Sequence, residues 1–341
     1  MRCCKYPFER INIDWDGQVF FCCAPFVDYY VIGNIYKDSF EDIWYGERAK
    51  AFRRDIYNNL YTHCNLKFCF EYNDWNMKDF EESFIDHPPY PKYVHLSYVK
   101  ACNVRCVTCR DEWFTESKDD INQNNTIIDK VLEICKHAEF VFLNGSGEVF
   151  VSEHLKCLVR RISEKYPKIK FMLISNGLLF DEKHVKDFGI EGKICKVCLS
   201  IHAATKETYE RIVRGGHWEQ LQKNLKYISK LKKKGELKEL DFNFVFHSGN
   251  FREMPAFVKM ANKFGAEAYF SRFRKWATNS EMNSNYEKYT CWDPNHPDFE
   301  EFMKVLKTIN GMKGSRLAED YFRQLQLKLK KPWYKRLFKR G

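Results

Sequence analysis

The sequence lacks any long apolar run. No window of its 341 residues holds the roughly 18 uninterrupted apolar residues that a membrane-spanning helix needs, so a soluble chain is expected. It also lacks an apolar signal core. Met1 to Pro7 run straight into cysteines and charges, which speaks against export and for a cytoplasmic chain with reduced thiols. Acidic residues are missing from its end: the last is Asp320, and eight of the ten excess positive charges follow within the final 21 residues. The chain up to that point carries 48 basic residues against 46 acidic ones, so no nucleic-acid-binding face is expected on the main body.

Cysteine is plentiful, with fourteen residues that in a reducing compartment call for metal or cluster ligation, or for burial as inert thiols. Hydrophobic residues at 44% and aromatics at 16% are globular values, and the length suggests about two domains. Residues 1–86 read as a small cysteine-rich module containing Cys3, Cys4, Cys22, Cys23, Cys64 and Cys69, with a strand-like stretch from Arg10 to Phe21 broken by a turn at Asp14 to Gly17. His87 to Pro91, with three prolines, reads as a linker.

A second domain is expected over residues 87–290, followed by a helical extension with a basic, aromatic tail over 291–341. Six apolar runs predict strands: Tyr93 to Val99, Phe140 to Leu143, Lys170 to Ser175, Lys196 to Ile201, Leu240 to Phe246 and Ala268 to Arg272. Segments at helical spacing lie between them, among them Ile127 to His137, His154 to Lys165, Trp218 to Lys234 and Met254 to Phe264. Alternating strand and helix units imply an α/β fold with a parallel, helix-wrapped sheet closed or partly closed as a (β/α)6 barrel, and ligand residues just past the carboxyl ends of its strands.

Cys102-Asn-Val-Arg-Cys106-Val-Thr-Cys109 follows the first of these strands. Three thiolates in one loop suit iron–sulfur or zinc but cannot close a tetrahedral site of four ligands, and the open position can take a bidentate amino acid. The bland reading is three buried loop thiols.

This loop resembles the signature of the radical S-adenosylmethionine (SAM) superfamily, and further matches follow in order up to about residue 275. The resemblance implies a partial (β/α)6 radical SAM barrel with a [4Fe–4S] cluster on Cys102, Cys106 and Cys109 that binds SAM. Gly145-Ser146-Gly147-Glu148 is similar to the segment whose backbone and carboxylate meet the SAM amino group; alone it is a turn with a Glu. Ser175 and Asn176 stand where the family places contacts to the nucleoside, and Ser200 where it contacts the ribose. Arg214, with Arg211 as alternative, is implied to pair with the SAM carboxylate, and Asn250 falls at a polar position of the cleft or is a plain loop Asn. Thr108 replaces the usual aromatic residue before the third cysteine, which removes the expected adenine contact there. His202 replaces an acidic residue common in relatives and is either a catalytic proton donor or acceptor or a backbone-satisfying histidine.

Cys4, Gly17, Cys22, Ile32-Gly33-Asn34-Ile35, Ile43-Trp44, Arg53 and Cys64 to Cys69 resemble a short SPASM or twitch module, which carries an auxiliary iron–sulfur cluster and usually follows the barrel. The resemblance implies one auxiliary cluster of the 4Fe–4S type on Cys4, Cys22, Cys64 and Cys69, with Cys3 and Cys23 as spares; a structural zinc site on the same four thiolates is the alternative. Cys195 and Cys198, entering the fourth strand, read as core thiols, Cys135 and Cys157 likewise as core, and Cys291 has no assigned place.

The implied activity is reductive cleavage of SAM to a 5′-deoxyadenosyl radical that removes a hydrogen from a substrate carbon, leading to oxidation, epimerisation or bond formation. A carbohydrate or other small molecule is favoured over a precursor peptide or protein as substrate, because no separate peptide-recognition segment is evident. An electron donor such as flavodoxin or ferredoxin is implied. From a different class, a zinc protein binding nucleic acid through its tail is the competing function. In that tail Leu327, Leu329, Trp333, Leu337 and Phe338 interleave with basic residues, as in a peripheral membrane contact or a solvated basic end.

Overall fold

The computed structural model of the chain describes residues 4–66, 69, 81–143, 146–275 and 280–317. Cys3, Gly145 and the basic tail singled out above lie outside the described residues. One ten-stranded sheet organises the fold. In chain order its strands are β1 (Arg10–Ile13), β2 (Gln18–Phe20), β3 (Gly33–Asn34), β4 (Tyr93–Leu96), β5 (Phe140–Leu143), β6 (Lys170–Ser175), β7 (Ile194–Ser200), β8 (Glu239–Phe246), β9 (Glu267–Arg272) and β10 (Ser315–Leu317). They lie side by side as β10-β9-β8-β7-β6-β5-β4-β1-β2-β3.

From β4 to β9 the six expected strands run parallel, each joined to the next through helical segments. The helices of the middle units, Glu153–Lys165, Trp218–Lys233 and Met254–Phe264, match the helical spacing read from the sequence. Among the described residues β10 and β3 are the sheet edges, so the barrel is partial and open. Within this set no helix is long and apolar enough to cross a membrane.

Strand register sorts the side chains into two faces. Val94, Leu96, Val141, Leu143, Phe171, Leu173, Val197, Leu199, Phe242 and Phe244 share one face and are buried to within 1%. The helices lay apolar stripes on that face, such as Leu155, Leu158, Val159 and Ile162, each side chain contributing about 2 kcal/mol by burial. The opposite face is mixed: Asn12 stands beside His95 at one side and Ser200, Asn243 and Tyr269 stand side by side at the other, with Phe142 and Met172 between them. At its amino end, Lys196 bridges Glu239 at 2.7 Å and Arg316 bridges Asp241 at 3.2 Å.

The cysteine-rich module is continuous with this sheet. Its strand β1 pairs in parallel with β4 over four residues, Arg10 with Tyr93 through Ile13 with Leu96. The flanking bonds Lys92 N–H to Glu9 O and Ser97 N–H to Ile13 O, both 2.8 Å, lengthen the ladder. An exposed barrel edge would carry unpaired backbone groups, and β1 satisfies them. The proline segment therefore joins two parts of one sheet, and Trp44 donates its indole N–H to Pro89 O at 3.0 Å. The turn expected at Asp14 to Gly17 forms between β1 and β2. Gly17 has φ +72°, and a Cβ there would sit 2.3 Å from Tyr36, so glycine is required.

Candidate active site

The loop after β4 is held as a fixed platform. Cys102 N–H donates to Phe114 O at 2.9 Å, Cys109 N–H to Cys106 O at 3.0 Å, and the Arg110 guanidinium to Lys100 O at 2.8 Å. Arg105 and Cys106 form a short antiparallel ladder with Arg214 and Val213, and Val107 N–H donates to Ile212 O at 2.9 Å. Burial pushes the Cys102 thiol up to about 11, with the Glu148 carboxylate adding to it. Cys106 is pushed up as well, by burial first and then by Cys109 and Cys102, so the three thiols lie within electrostatic reach of one another. Protonated thiols are poor ligands, and a bound cation is what makes such buried thiolates stable. Among the described residues no three His, Cys, Asp or Glu side chains are drawn together tightly enough for a single metal ion.

Gly147 and Glu148 lie against this loop. A Cβ on Gly147 would fall 2.3 Å from Ala101 O and 2.8 Å from the Lys100 carbonyl carbon, so here the glycine admits the chain's own backbone. Glu148 N–H donates to Ala101 O at 2.8 Å. The carboxylate of Glu148 is buried and accepts from the Ser175 hydroxyl at 2.8 Å and from Asn176 N–H at 2.7 Å. Burial nevertheless raises its affinity for a proton, because desolvation outweighs these bonds. Asn176 also donates its side-chain N–H to Asn103 Oδ1 at 2.8 Å. One network thus joins the end of β6, the glycine turn and the cysteine loop.

Ser200 ends β7 opposite Asn243. The two candidate arginines part company. Arg211 donates to Gly249 O at 2.9 Å and braces the loop after β8. Arg214 stands opposite Arg105 beside the cysteine loop, where it pairs with Glu281 at 3.3 Å on a half-exposed surface. The structure brings Arg214, and not Arg211, to the cysteine platform.

His202 and Asn250 face inward to the chain itself. His202 is buried with φ +63°, and its Nδ1 accepts from Val245 N–H at 3.0 Å. Burial holds its ring neutral down to about 4. Asn250 donates to His202 O and Val245 O, both at 3.0 Å, and accepts from His247 N–H at 2.8 Å. His202 occupies the backbone-satisfying place that the sequence left open beside a role at the substrate, and Asn250 braces the loop after β8 through backbone bonds.

The second cysteine set meets in one apolar cavity. Cys4, Cys22, Cys64 and Cys69 all line it, together with Phe21, Phe26, Val27, Phe52, Ile56 and Leu66. Burial pushes Cys64 up to about 12. Four thiols around an apolar hollow fit a multi-iron cluster, whose corner irons hold thiolates farther apart than four thiolates at about 2.3 Å from one zinc. Cys23 shares a hydrogen bond with Cys22 that lowers its own proton affinity, to about 7.

The remaining cysteines divide. Cys135 and Cys291 are fully buried, and Cys198 is pushed up to about 12 by burial. Cys157, expected in the core, is exposed: on the helix Glu153–Lys165 the buried stripe runs through Leu155, Leu158 and Val159 and leaves position 157 on the outer face. Three contributors gave no signal in the sequence: Asn103, which bonds Asn176 across 73 residues, Arg105, which stands opposite Arg214 in the ladder, and Arg110, whose guanidinium folds back on Lys100 O.

A family model described as the radical SAM superfamily matches residues 96–261, and one described as an iron–sulfur cluster-binding (SPASM) domain matches residues 3–69. The chain belongs to the radical SAM superfamily and carries its SPASM domain ahead of the barrel. These domains imply a SAM-binding [4Fe–4S] cluster, an auxiliary iron–sulfur cluster and SAM. No curated protein sequence matches the chain. Among solved structures it is similar to native anSMEcpe with bound AdoMet and Cp18Cys peptide, at 19% identity and TM-score 0.42 over 65% of this chain and 59% of that one. It is similar to methylornithine synthase (PylB) at 12% identity and TM-score 0.37, over 55% and 54%. A third is BtrN in complex with AdoMet and 2-DOIA, at 17% identity and TM-score 0.26, over 39% and 54%. The chain spans less than two thirds of the length of each of these.

Proposed function

We propose that this radical SAM protein abstracts a hydrogen atom from a carbon of a polar small molecule, such as a carbohydrate, leading to oxidation, epimerisation or bond formation. The observation that carries the reading is the network joining the Cys102–Cys109 loop, Glu148, Ser175 and Asn176 at the carboxyl ends of β4 to β6. Bound cluster and SAM supply reductive cleavage to methionine and a 5′-deoxyadenosyl radical. Cys102, Cys106 and Cys109 would hold the cluster, Glu148 would receive the SAM ammonium, and Arg214 would meet its carboxylate. Ser175, Asn176 and Ser200 would orient the nucleoside side of the ligand.

Two asparagines on the inner face of the sheet favour a polar substrate. Asn12 and Asn243 each present a buried carboxamide oxygen without a hydrogen-bond partner among the described residues, and a hydroxyl or amine would supply one. The ion pairs of Lys196 and Arg316 fill the amino end of that face, which directs ligands to the carboxyl end. Cys4, Cys22, Cys64 and Cys69 would hold the auxiliary cluster, and a flavodoxin- or ferredoxin-class donor would supply electrons. The test is anaerobic: reduced protein with SAM should release 5′-deoxyadenosine. The joint change of Cys102, Cys106 and Cys109 to Ala should stop that release while iron bound by the amino-terminal module remains. Release of 5′-deoxyadenosine by the triple variant would remove this site from the reaction.

A further inference from the structure

The helix Lys206–Ile212 leads directly into the residues that pair with the cysteine loop. Tyr209, one turn before Val213, is 0% exposed. Its ring packs against Trp218 with centroids 5.4 Å apart, and a Cβ on Gly216 would lie 2.8 Å from its Cε1, so the ring has little freedom to swing. Its hydroxyl oxygen is buried and has no hydrogen-bond partner among the described residues. A buried hydroxyl is rarely left so, because the unmade bond costs about 1–3 kcal/mol. The same Gly216 Cβ would lie 2.8 Å from Val213 O, and Val213 stands opposite Cys106 in the short ladder, so the ring sits next to the cysteine loop, where a tyrosine hydroxyl is a donor at neutral pH.

A neutral thiol is a weak acceptor, whereas an iron-bound thiolate is a strong one. We propose that the Tyr209 hydroxyl donates a hydrogen bond to the sulfur of Cys106 when that sulfur ligates the SAM-binding cluster, and thereby raises the reduction potential of that cluster. The inference rests on Cys106 being a cluster ligand, as read above. A donor to a ligating sulfur stabilises the more negative, reduced cluster more than the oxidised one, and hydrogen bonds to sulfur are among the groups that set such potentials. Tyr209 is a positioning and tuning residue in this role, and it takes no part in the bond changes of SAM.

The experiment is a redox titration of the anaerobic holoenzyme, followed by the paramagnetic signal of the reduced SAM-binding cluster. Tyr209→Phe keeps the ring and its packing and removes the donor alone. The potential of that cluster should move to more negative values, while the auxiliary cluster, the iron content and SAM affinity stay at wild-type values. Replacing Tyr209 by a fluorinated tyrosine, whose hydroxyl is a stronger donor, should move the potential the other way. An unmoved potential in both variants overturns the proposal, as does a loss of SAM affinity at unchanged potential, which would make SAM the partner of the hydroxyl. Wild-type protein that binds no cluster at Cys102, Cys106 and Cys109 would instead overturn the ligand assignment, so the two failures are told apart.

Discussion

The carboxylate of Glu148 accepts a hydrogen bond of 2.7 Å from the backbone N–H of Asn176, across 28 residues of sequence. That bond, with the one from Ser175, fixes the carboxylate at the end of β6 next to the cysteine loop. In the proposed role Glu148 accepts a charge-assisted hydrogen bond from the SAM ammonium, worth about 1.5–3 kcal/mol, so Glu148→Gln should weaken SAM binding by about one to two powers of ten. The rate of deoxyadenosine release at saturating SAM should be little changed. Titration of SAM into the anaerobic variant decides it: intact affinity with a collapsed rate would make Glu148 a proton-transfer group.

Gly147→Ala should damage one cluster and spare the other. The added Cβ would meet the backbone at Ala101 O and Lys100 C, and backbone cannot yield as a flexible side chain can. The cysteine loop is displaced as a result. Iron analysis should show loss of the SAM-binding cluster, with the auxiliary cluster retained. Full iron loading of the Ala variant would refute the close approach.

Arg53→Met tests what holds the auxiliary module together. Arg53 is fully buried, donates to Pro7 O at 2.8 Å and Trp44 O at 2.7 Å, and lies over the Trp44 ring at 4.5 Å. Burial lowers its proton affinity to about 9, still charged at neutral pH. Methionine fills the volume but leaves two buried carbonyls without a donor, at about 1–3 kcal/mol each. The melting temperature should fall by several degrees, accompanied by loss of auxiliary iron. A melting curve superimposable on wild type would show that these bonds contribute nothing.

His202 should make the protein acid-sensitive. Its pKa is lowered by burial to about 4 from 6.5, so as pH falls through 6.5 the unfolded chain takes up a proton that the native one refuses. Stability from this group is therefore complete above pH 6.5 and lost as pH falls toward 4, by roughly 1 kcal/mol between pH 7.5 and 5.5. Asparagine tolerates the positive φ and can accept from Val245 N–H, yet does not titrate. His202→Asn should reduce the acid loss by about that amount in denaturant unfolding at the two pH values. His154 and His247, which burial also keeps neutral, titrate as a common background in both proteins. An identical pH dependence in wild type and variant would count against this account.

Much of the fold was legible in advance because apolar periodicity is a local property. Phe140–Leu143 and Met254–Phe264 form where the pattern of apolar residues places them. The motif quoted for the cysteine-rich module contains residues with structural work. Trp44 and Arg53 reach to Pro89 and Pro7, and neither bond could be read from spacing. Helix direction was the harder matter: the stretch around Cys157 was recognised as helical, but the side of the helix that meets the sheet depends on packing.

By itself the sequence determined the element types, the two cysteine sets and the family, since these depend on residue identity and short-range order. Only the tertiary structure decided which groups meet. It seats β1 on β4, so that the cysteine-rich module and the barrel share one sheet, because an unpaired edge strand needs a backbone partner from somewhere and β1 is the strand that reaches it. Tertiary contacts also sent Arg211 to Gly249 and left Arg214 at the cysteine loop. Tyr209 is placed by the same long-range packing, since a hydroxyl without a partner among the described residues stands only where burial has removed water.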